Sequence, residues 1–249
     1  MQQYACARVS GRGSRAVCGR GGRRSERSDR PLHPCLLYRP VAVGVYREQI
    51  LPRLVDRACA VAAMRPWRAE VARGLRGRVV EIGAGSGLNV EHYPPEVEVV
   101  LAVEPAAVAR RLAKRRIAAS RITVEHVAAD GQALPIADGT CDGALLTFTL
   151  CTVPDPVLVL RELFRVLRPG GTLHFLEHGI APDPSVAAWQ RRLEPLQRRC
   201  AGGCHLTRDA AALVVGAGFG LEREEKRYAA GPKPWSYFTL GVATKPAAC

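Results

Sequence analysis

The run Glu81-Ile82-Gly83-Ala84-Gly85-Ser86-Gly87 limits what this chain can fold into more than any other stretch. It follows the β-branched segment Arg78 to Ile82, so a strand is predicted to end in a glycine turn. Glycines there let the backbone turn tightly and let a ligand press against it without Cβ clashes. The spacing is G-x-G-x-G. A dinucleotide fingerprint needs its third glycine one place later, where this chain carries Leu88, which argues against a nicotinamide oxidoreductase.

The rest of the chain repeats the strand-then-helix rhythm. Strands are predicted at Val97–Val103, Ile122–Val127, Ala144–Leu150, Thr172–Leu176, Phe219–Tyr228 and Ser236–Ala243. Helical patterns lie between them, at Ala106–Ala119 and Thr207–Val215 and in the run Val157, Leu160, Phe164, Leu167. Asp155 is placed to cap this last helix, with Pro156 at its first position and Arg168-Pro169-Gly170-Gly171 as its stop. Alternation of this kind implies βαβ units and a doubly wound, mostly parallel α/β sheet. The expected organisation is a polar tail over 1–31, a helical flank or lid over 32–76 and the sheet domain over 77–249. Helical spacing in Ile50, Leu51, Val55, Ala58, Cys59 and Ala62 places a flank helix that begins near Pro52.

Charge is unevenly spread. Of the formal net charge of +13, residues 1–30 carry +6, from eight arginines against Glu26 and Asp29. A segment so poor in apolar residues cannot offset its ordering entropy, so a disordered tail is expected. It reads as a solvated extension, a nucleic-acid or anionic-surface arm, or an Arg-rich transit peptide. No continuous apolar leader opens the sequence, and Val41 to Met64 carries Arg47, Glu48, Arg53, Asp56 and Arg57, so no membrane span is expected. The nine scattered cysteines predict reduced thiols in a cytoplasmic protein. Cys200, Cys204 and His205 offer too few ligands in sequence for a metal site, and none is expected.

Two acidic residues sharpen the reading. Glu104 ends the second strand, 21 residues after Gly83, where a carboxylate can accept from two ribose hydroxyls. Asp130, followed by Gly131, comes after the third strand and can accept from an adenine amino group. Both lie at the carboxyl ends of strands, where open α/β sheets bind ligands.

From about residue 33 onward the sequence resembles the class I S-adenosylmethionine-dependent methyltransferases of the methyltransferase type 11 family. The likeness rests on Val80 to Gly87, Val103-Glu104-Pro105, Asp130 to Pro135 and Phe164 to Gly171. Within the family it is similar to a subgroup that includes animal thiol methyltransferases, through Leu150-Cys151-Thr152-Val153, Phe175-Leu176-Glu177-His178 and Gly203 to Arg208. The resemblance implies a seven-stranded Rossmann-like sheet with its last strand antiparallel, and S-adenosylmethionine as cofactor. It implies that Glu81, Gly83, Ala84, Gly85 and Gly87 frame the methionine end. Glu104 holds the ribose, Asp130 and Gly131 face the adenine, and Thr149 and Leu150 border the sulfonium. The animal relatives carry a hydrophobic membrane anchor where this chain has its Arg-rich tail.

The acceptor is expected to be a small molecule or lipid-like compound, with a thiol in view. His178, ending the fifth strand, is the candidate base for an acceptor that must lose a proton; a backbone-bonded structural histidine is the alternative. Cys151, His205 and Arg208 are candidates for the substrate pocket, and Trp189, Trp235 and Tyr237 for apolar walls, each against a plain packing role. A nucleic-acid methyltransferase is disfavoured, because Thr147-Phe148-Thr149-Leu150 stands where amino-methylating enzymes carry an Asn/Asp-Pro-Pro-Tyr type motif. A non-catalytic cofactor-binding protein of the same fold is the other reading. Oligomeric state is not legible.

Overall fold

The computed structural model describes residues 44–247. The tail expected over 1–31 and the first part of the expected flank lie outside them. Seven strands form one sheet: β1 (Gly77–Ile82), β2 (Val97–Val103), β3 (Thr123–Val127), β4 (Cys141–Thr147), β5 (Leu167–His178), β6 (Gly220–Tyr228) and β7 (Tyr237–Thr244). Their order is β3-β2-β1-β4-β5-β7-β6. β7 runs antiparallel to both neighbours, and the pairs among the first five strands are parallel. The doubly wound, mostly parallel sheet with an antiparallel last strand is therefore present as expected.

Side-chain alternation divides the apolar strands between two cores. Val80, Ile82, Leu101, Val103, Ala144 and Leu146 face one side of the sheet. There they meet Val159, Leu160 and Leu163 of α4 (Pro156–Val166) and Val214 of α6 (Ala210–Gly216). Val79, Val100, Leu145, Leu176 and Leu240 face the other side, against Trp67 and Val71 of α2 (Arg65–Ala72). Strands covered on both faces have no polar side to show, which is why they read as near-continuous apolar runs. Each fully buried aliphatic side chain contributes about 1.5–3 kcal/mol.

Local signals account for the helix starts. Asp155 Oδ1 accepts from the amides of Val157 and Leu158 and caps α4, a contact that contributes about 1 kcal/mol. α3 (Ala107–Ala118) falls where its pattern places it. α6 starts three residues later than predicted, because Asp209 caps it through the Ala212 amide. α1 (Leu51–Cys59) has Pro52 in its first turn and follows a π-helical turn, Tyr46–Ile50.

Three regions depart from the sequence pattern, the first being β5, which starts at Leu167 rather than Thr172 and takes in the Arg168-to-Gly171 stop. α5 (Pro184–Cys200) has no clean apolar period, buries only Val186, Ala187 and Gln190, and contains Pro195, so periodicity does not reveal it. β4 ends at Thr147 rather than Leu150, and Phe148 turns the chain out of the sheet at φ 55°. The short helix α7 (Lys233–Ser236) lies in the connection from β6 to β7.

Candidate cofactor and acceptor site

β1 and β4 lie side by side, yet their continuations reach outward to β2 and to β5, so the strand order reverses between them. A crevice opens at such a switch point, outside the carboxyl ends of the strands. It is a cavity of about 490 Å³, walled by Gly83 to Ser86, Glu104 to Ala106, Asp130, Gly131, Thr147 to Thr149 and part of α1.

The glycine turn is held tightly. The amides of Gly83 and Ala84 both donate to Val103 O, at 3.0 and 3.2 Å. Gly83 has φ 73°, and a Cβ there would sit 2.5 Å from Thr149 Oγ1, which itself donates to Ile82 O at 2.9 Å. Gly85 has φ 55°, and a Cβ there would meet only Gly83 O, at 3.7 Å. One glycine serves the packing of the protein, the other a conformation facing open space.

Glu104 lies across the cavity, 9% exposed. Oε2 accepts from the Gly85 amide at 2.9 Å and Oε1 from the Ala106 amide at 2.8 Å. A carboxylate has about four acceptor positions, so both oxygens keep capacity for a ligand hydroxyl. Burial pushes this carboxyl up and the two amides pull it back, leaving it above the ordinary range. Asp130 is exposed at the rim and accepts from the Gln132 amide and side chain at 3.0 and 2.9 Å. Gly131 is buried beside it, with Ile82 Cγ2 2.4 Å from where a Cβ would stand.

The other end of the cavity holds a polar cluster that no motif announces. Glu81 is buried beneath the turn and accepts from Asn89 Nδ2 and the Tyr93 hydroxyl, both at 2.6 Å. Arg68, from α2, donates to Asn89 Oδ1 at 2.7 Å, while its Nε is buried without a partner. Burial lowers the pKa of Arg68 from the ordinary guanidinium value and raises that of Glu81 from the ordinary carboxyl value. Arg68 lines the cavity together with Asn89. Leu51, Val55, Phe148, Val153 and Pro154 give the remaining wall an apolar character. Asp56 of α1 ties this wall down through Ser86 Oγ at 2.5 Å and Arg116 at 2.9 Å.

Gly83, Ala84, Gly85, Glu104, Asp130, Gly131 and Thr149 therefore line one cavity. Gly87 is near but packs on α3, 3.2 Å from Ala113 Cβ to its own Cβ position. Leu150 is fully buried and does not reach the cavity. Its amide, with those of Thr149 and Cys151, donates to the buried carboxylate of Glu177 at 2.8–3.1 Å.

The candidate substrate residues are engaged elsewhere. Arg208 donates to the carbonyls of Leu150 and Val153 and braces their loop. His205 pairs with Glu194 at 3.0 Å. Trp189 and Trp235 are exposed, and Tyr237 packs with Ala181 and Val186. His178 lies behind Phe148, ring centroids 5.1 Å apart, and its Nδ1 faces Cys151 Sγ at 3.6 Å and Cys204 Sγ at 3.7 Å. Cys204 is held below the ordinary thiol range by its hydrogen-bonded contact with Cys151 and by His178, and Cys151 is pushed up in turn. Sequence reasoning missed Arg68, Asn89 and Phe148, which become recognisable only once the crevice is formed.

Known proteins resemble this chain in sequence and in fold. The methyltransferase domain family matches residues 80–175. Thiol S-methyltransferase TMT1B of Rattus norvegicus is 35% identical over 167 residues, covering 66% of this chain and 66% of that protein. TMT1B of Homo sapiens is 34% identical over 174 residues, covering 68% of this chain and 69% of that protein. The match thus spans about two thirds of the length of these relatives. A crystal structure of an S-adenosylmethionine-dependent methyltransferase from Mesorhizobium loti is 20% identical, with a TM-score of 0.55 over 74% of this chain and 98% of that one. At that identity the likeness shows the fold alone. With the glycine turn, the acidic residue after β2 and the relatives in agreement, the chain belongs to the S-adenosylmethionine-dependent methyltransferase family.

Proposed function

We propose that this protein transfers a methyl group from S-adenosylmethionine to a small apolar thiol. The carrying observation is one cavity lined both by a buried cation, Arg68, and by a buried carboxylate, Glu104. That arrangement suits a ligand with an amino-acid carboxylate at one end and ribose hydroxyls near the other. Arg68, which lines the cavity, takes the carboxylate as a charge-assisted hydrogen bond. Glu104 accepts from the ribose, and Asp130 with Gly131 borders the adenine. S-adenosylmethionine supplies the methyl group and a sulfide leaving group.

The chain's own part is alignment and exclusion of water, which can supply several kcal/mol of a displacement barrier. Gly83, Gly85 and Thr149 fix the floor of the cleft. Phe148, Leu51, Val55 and Val153 form a dry wall for an apolar acceptor. α1 acts as a lid, pinned by Asp56. A thiol populates its thiolate near neutral pH and passes its proton to solvent, so no positioned base is required. His178, facing two cysteines behind Phe148, is given no such role. The thiol acceptor is supported by the apolar wall and by the substrate named for the TMT1B relatives. The scattered cysteines support work in a reducing compartment such as the cytoplasm. No helix among the described residues is long and apolar enough to cross a membrane.

Titration calorimetry with S-adenosylmethionine, followed by transfer of its labelled methyl group to thiols, phenols and amines, tests both parts. Binding with transfer to thiols is expected. Transfer to phenols or amines alone overturns the acceptor, and absence of binding overturns the cavity assignment.

A further inference from the structure

The loop after β4, the end of β5 and the loop after α5 bring three soft donor groups to one point. Cys151 Sγ, Cys204 Sγ and His178 Nδ1 are separated by 3.7 Å between the sulfurs and by 3.6 and 3.7 Å from each sulfur to the nitrogen. All three ligand atoms lie within 4.8 Å of one another. Zinc bonds of about 2.3 Å to sulfur and about 2.0–2.1 Å to nitrogen, at tetrahedral angles, place the ligand atoms about 3.8 Å apart for the sulfur pair and about 3.6 Å for each sulfur–nitrogen pair. The three donors thus already stand at the corners of one face of a zinc tetrahedron. A disulfide does not describe them, since bonded sulfurs sit about 2.05 Å apart.

The surroundings hold that face in place. Cys151 and Cys204 are 1% and 6% exposed. The Cys151 amide is fixed by Glu177 at 3.1 Å, and the Cys151 carbonyl accepts from the His205 amide at 2.7 Å, which ties the two cysteine loops together. The His178 ring is oriented between Phe148 and Phe238, with centroids at 5.1 and 5.3 Å. Sequence spacing hides the set because only Cys204 belongs to the Cys200-to-His205 cluster. Cys200 is exposed, and His205 is turned to Glu194.

We propose that Cys151, His178 and Cys204 form a zinc site, with two thiolates and one imidazole as protein ligands and the fourth position left to water. Two cysteines and one histidine with an open position are the ligand set of a catalytic rather than a closed structural zinc. The site stands directly behind Phe148 and Thr152, which line the cavity, so it neighbours the proposed acceptor pocket without being part of it.

Elemental analysis of the full-length protein, expressed with zinc and freed of loose metal on a mild chelator, tests the site. About one zinc per chain is expected, retained in Cys200→Ser and reduced at least tenfold in Cys204→Ser and His178→Ala. Equal loss in Cys200→Ser, or no zinc in the parent protein after apo-protein is reloaded, overturns the proposal. Alkylation of unsubstituted protein provides a check that does not depend on variants folding. Over an extended reaction in which the buried pair of the metal-free protein becomes labelled, added zinc should protect Cys151 and Cys204, but not exposed Cys200, from iodoacetamide in peptide mass spectra. Unchanged labelling of that pair would overturn the assignment independently of any methyl-transfer result.

Discussion

Glu104 sits in the crevice almost fully shielded from water, with two backbone amides oriented toward it, so the tertiary structure adds burial and two donors to a position that the sequence already marks. Hydrogen bonds to a charged group contribute about 1.5–3 kcal/mol each, so Glu104→Ala is expected to weaken S-adenosylmethionine binding by at least about tenfold in a calorimetric titration. The same carboxyl makes binding pH-dependent. Burial raises its pKa, and only the ionised form offers both oxygens as strong acceptors. Affinity is complete above the raised pKa and falls as the pH drops through it, so the loss begins above the ordinary glutamate range. Glu104→Gln should bind more weakly and flatten that limb of the profile; a variant that keeps the parent's profile would remove Glu104 from the explanation. Phe148 is a different case. Its φ of 55° is a region L side chains avoid by about 1–2 kcal/mol, and here it puts an aromatic ring on the cavity wall.

Between residue and fold, the segment 149–153 shows how a loop is made rigid from below. Three successive amides, those of Thr149, Leu150 and Cys151, donate to Glu177, and Arg208 takes the Leu150 and Val153 carbonyls. Each buried donor left unsatisfied costs about 1–3 kcal/mol. Glu177→Ala should therefore lower stability by about 3 kcal/mol or more in urea unfolding, although Glu177 does not itself line the cavity. A loss below about 1 kcal/mol would mean that the loop does not depend on the carboxylate. α1 is the contrasting element. None of its residues is buried, and Leu54 and Val55 remain 45–46% exposed. It rests on the molecule through Asp56 and through the cavity wall, so its order is coupled to what the cavity holds.

At the scale of the whole molecule, a ligand that enters this crevice joins α1 and α2 to the edges of β1, β2 and β4. A ligand present at about 100 times its Kd stabilises the folded state by about 2.7 kcal/mol, which raises the melting temperature by roughly 5–11 °C for a domain of this size. S-adenosylmethionine is expected to give that rise in a thermal melt, and no rise at saturating ligand would contradict binding to the folded state. The sheet and much of the site were legible beforehand because their causes are local. Near-continuous apolar runs mark strands covered on both faces, Asp155-Pro156 marks a helix start, and Glu81 to Gly87 marks a turn that only glycine tolerates. Glu104 was legible because it ends a strand next to that turn. What stayed hidden depends on contacts between residues far apart in the chain. Arg68 becomes a cavity residue only when α2 packs beside Asn89, and α5 finds its place without an apolar period. The sequence by itself thus determined the strand-and-helix order and the glycine turn, because backbone sterics and side-chain burial act within a few residues. Only the tertiary structure decided that Cys151, His178 and Cys204 meet, since sheet closure brings together groups up to 53 residues apart that no local force relates.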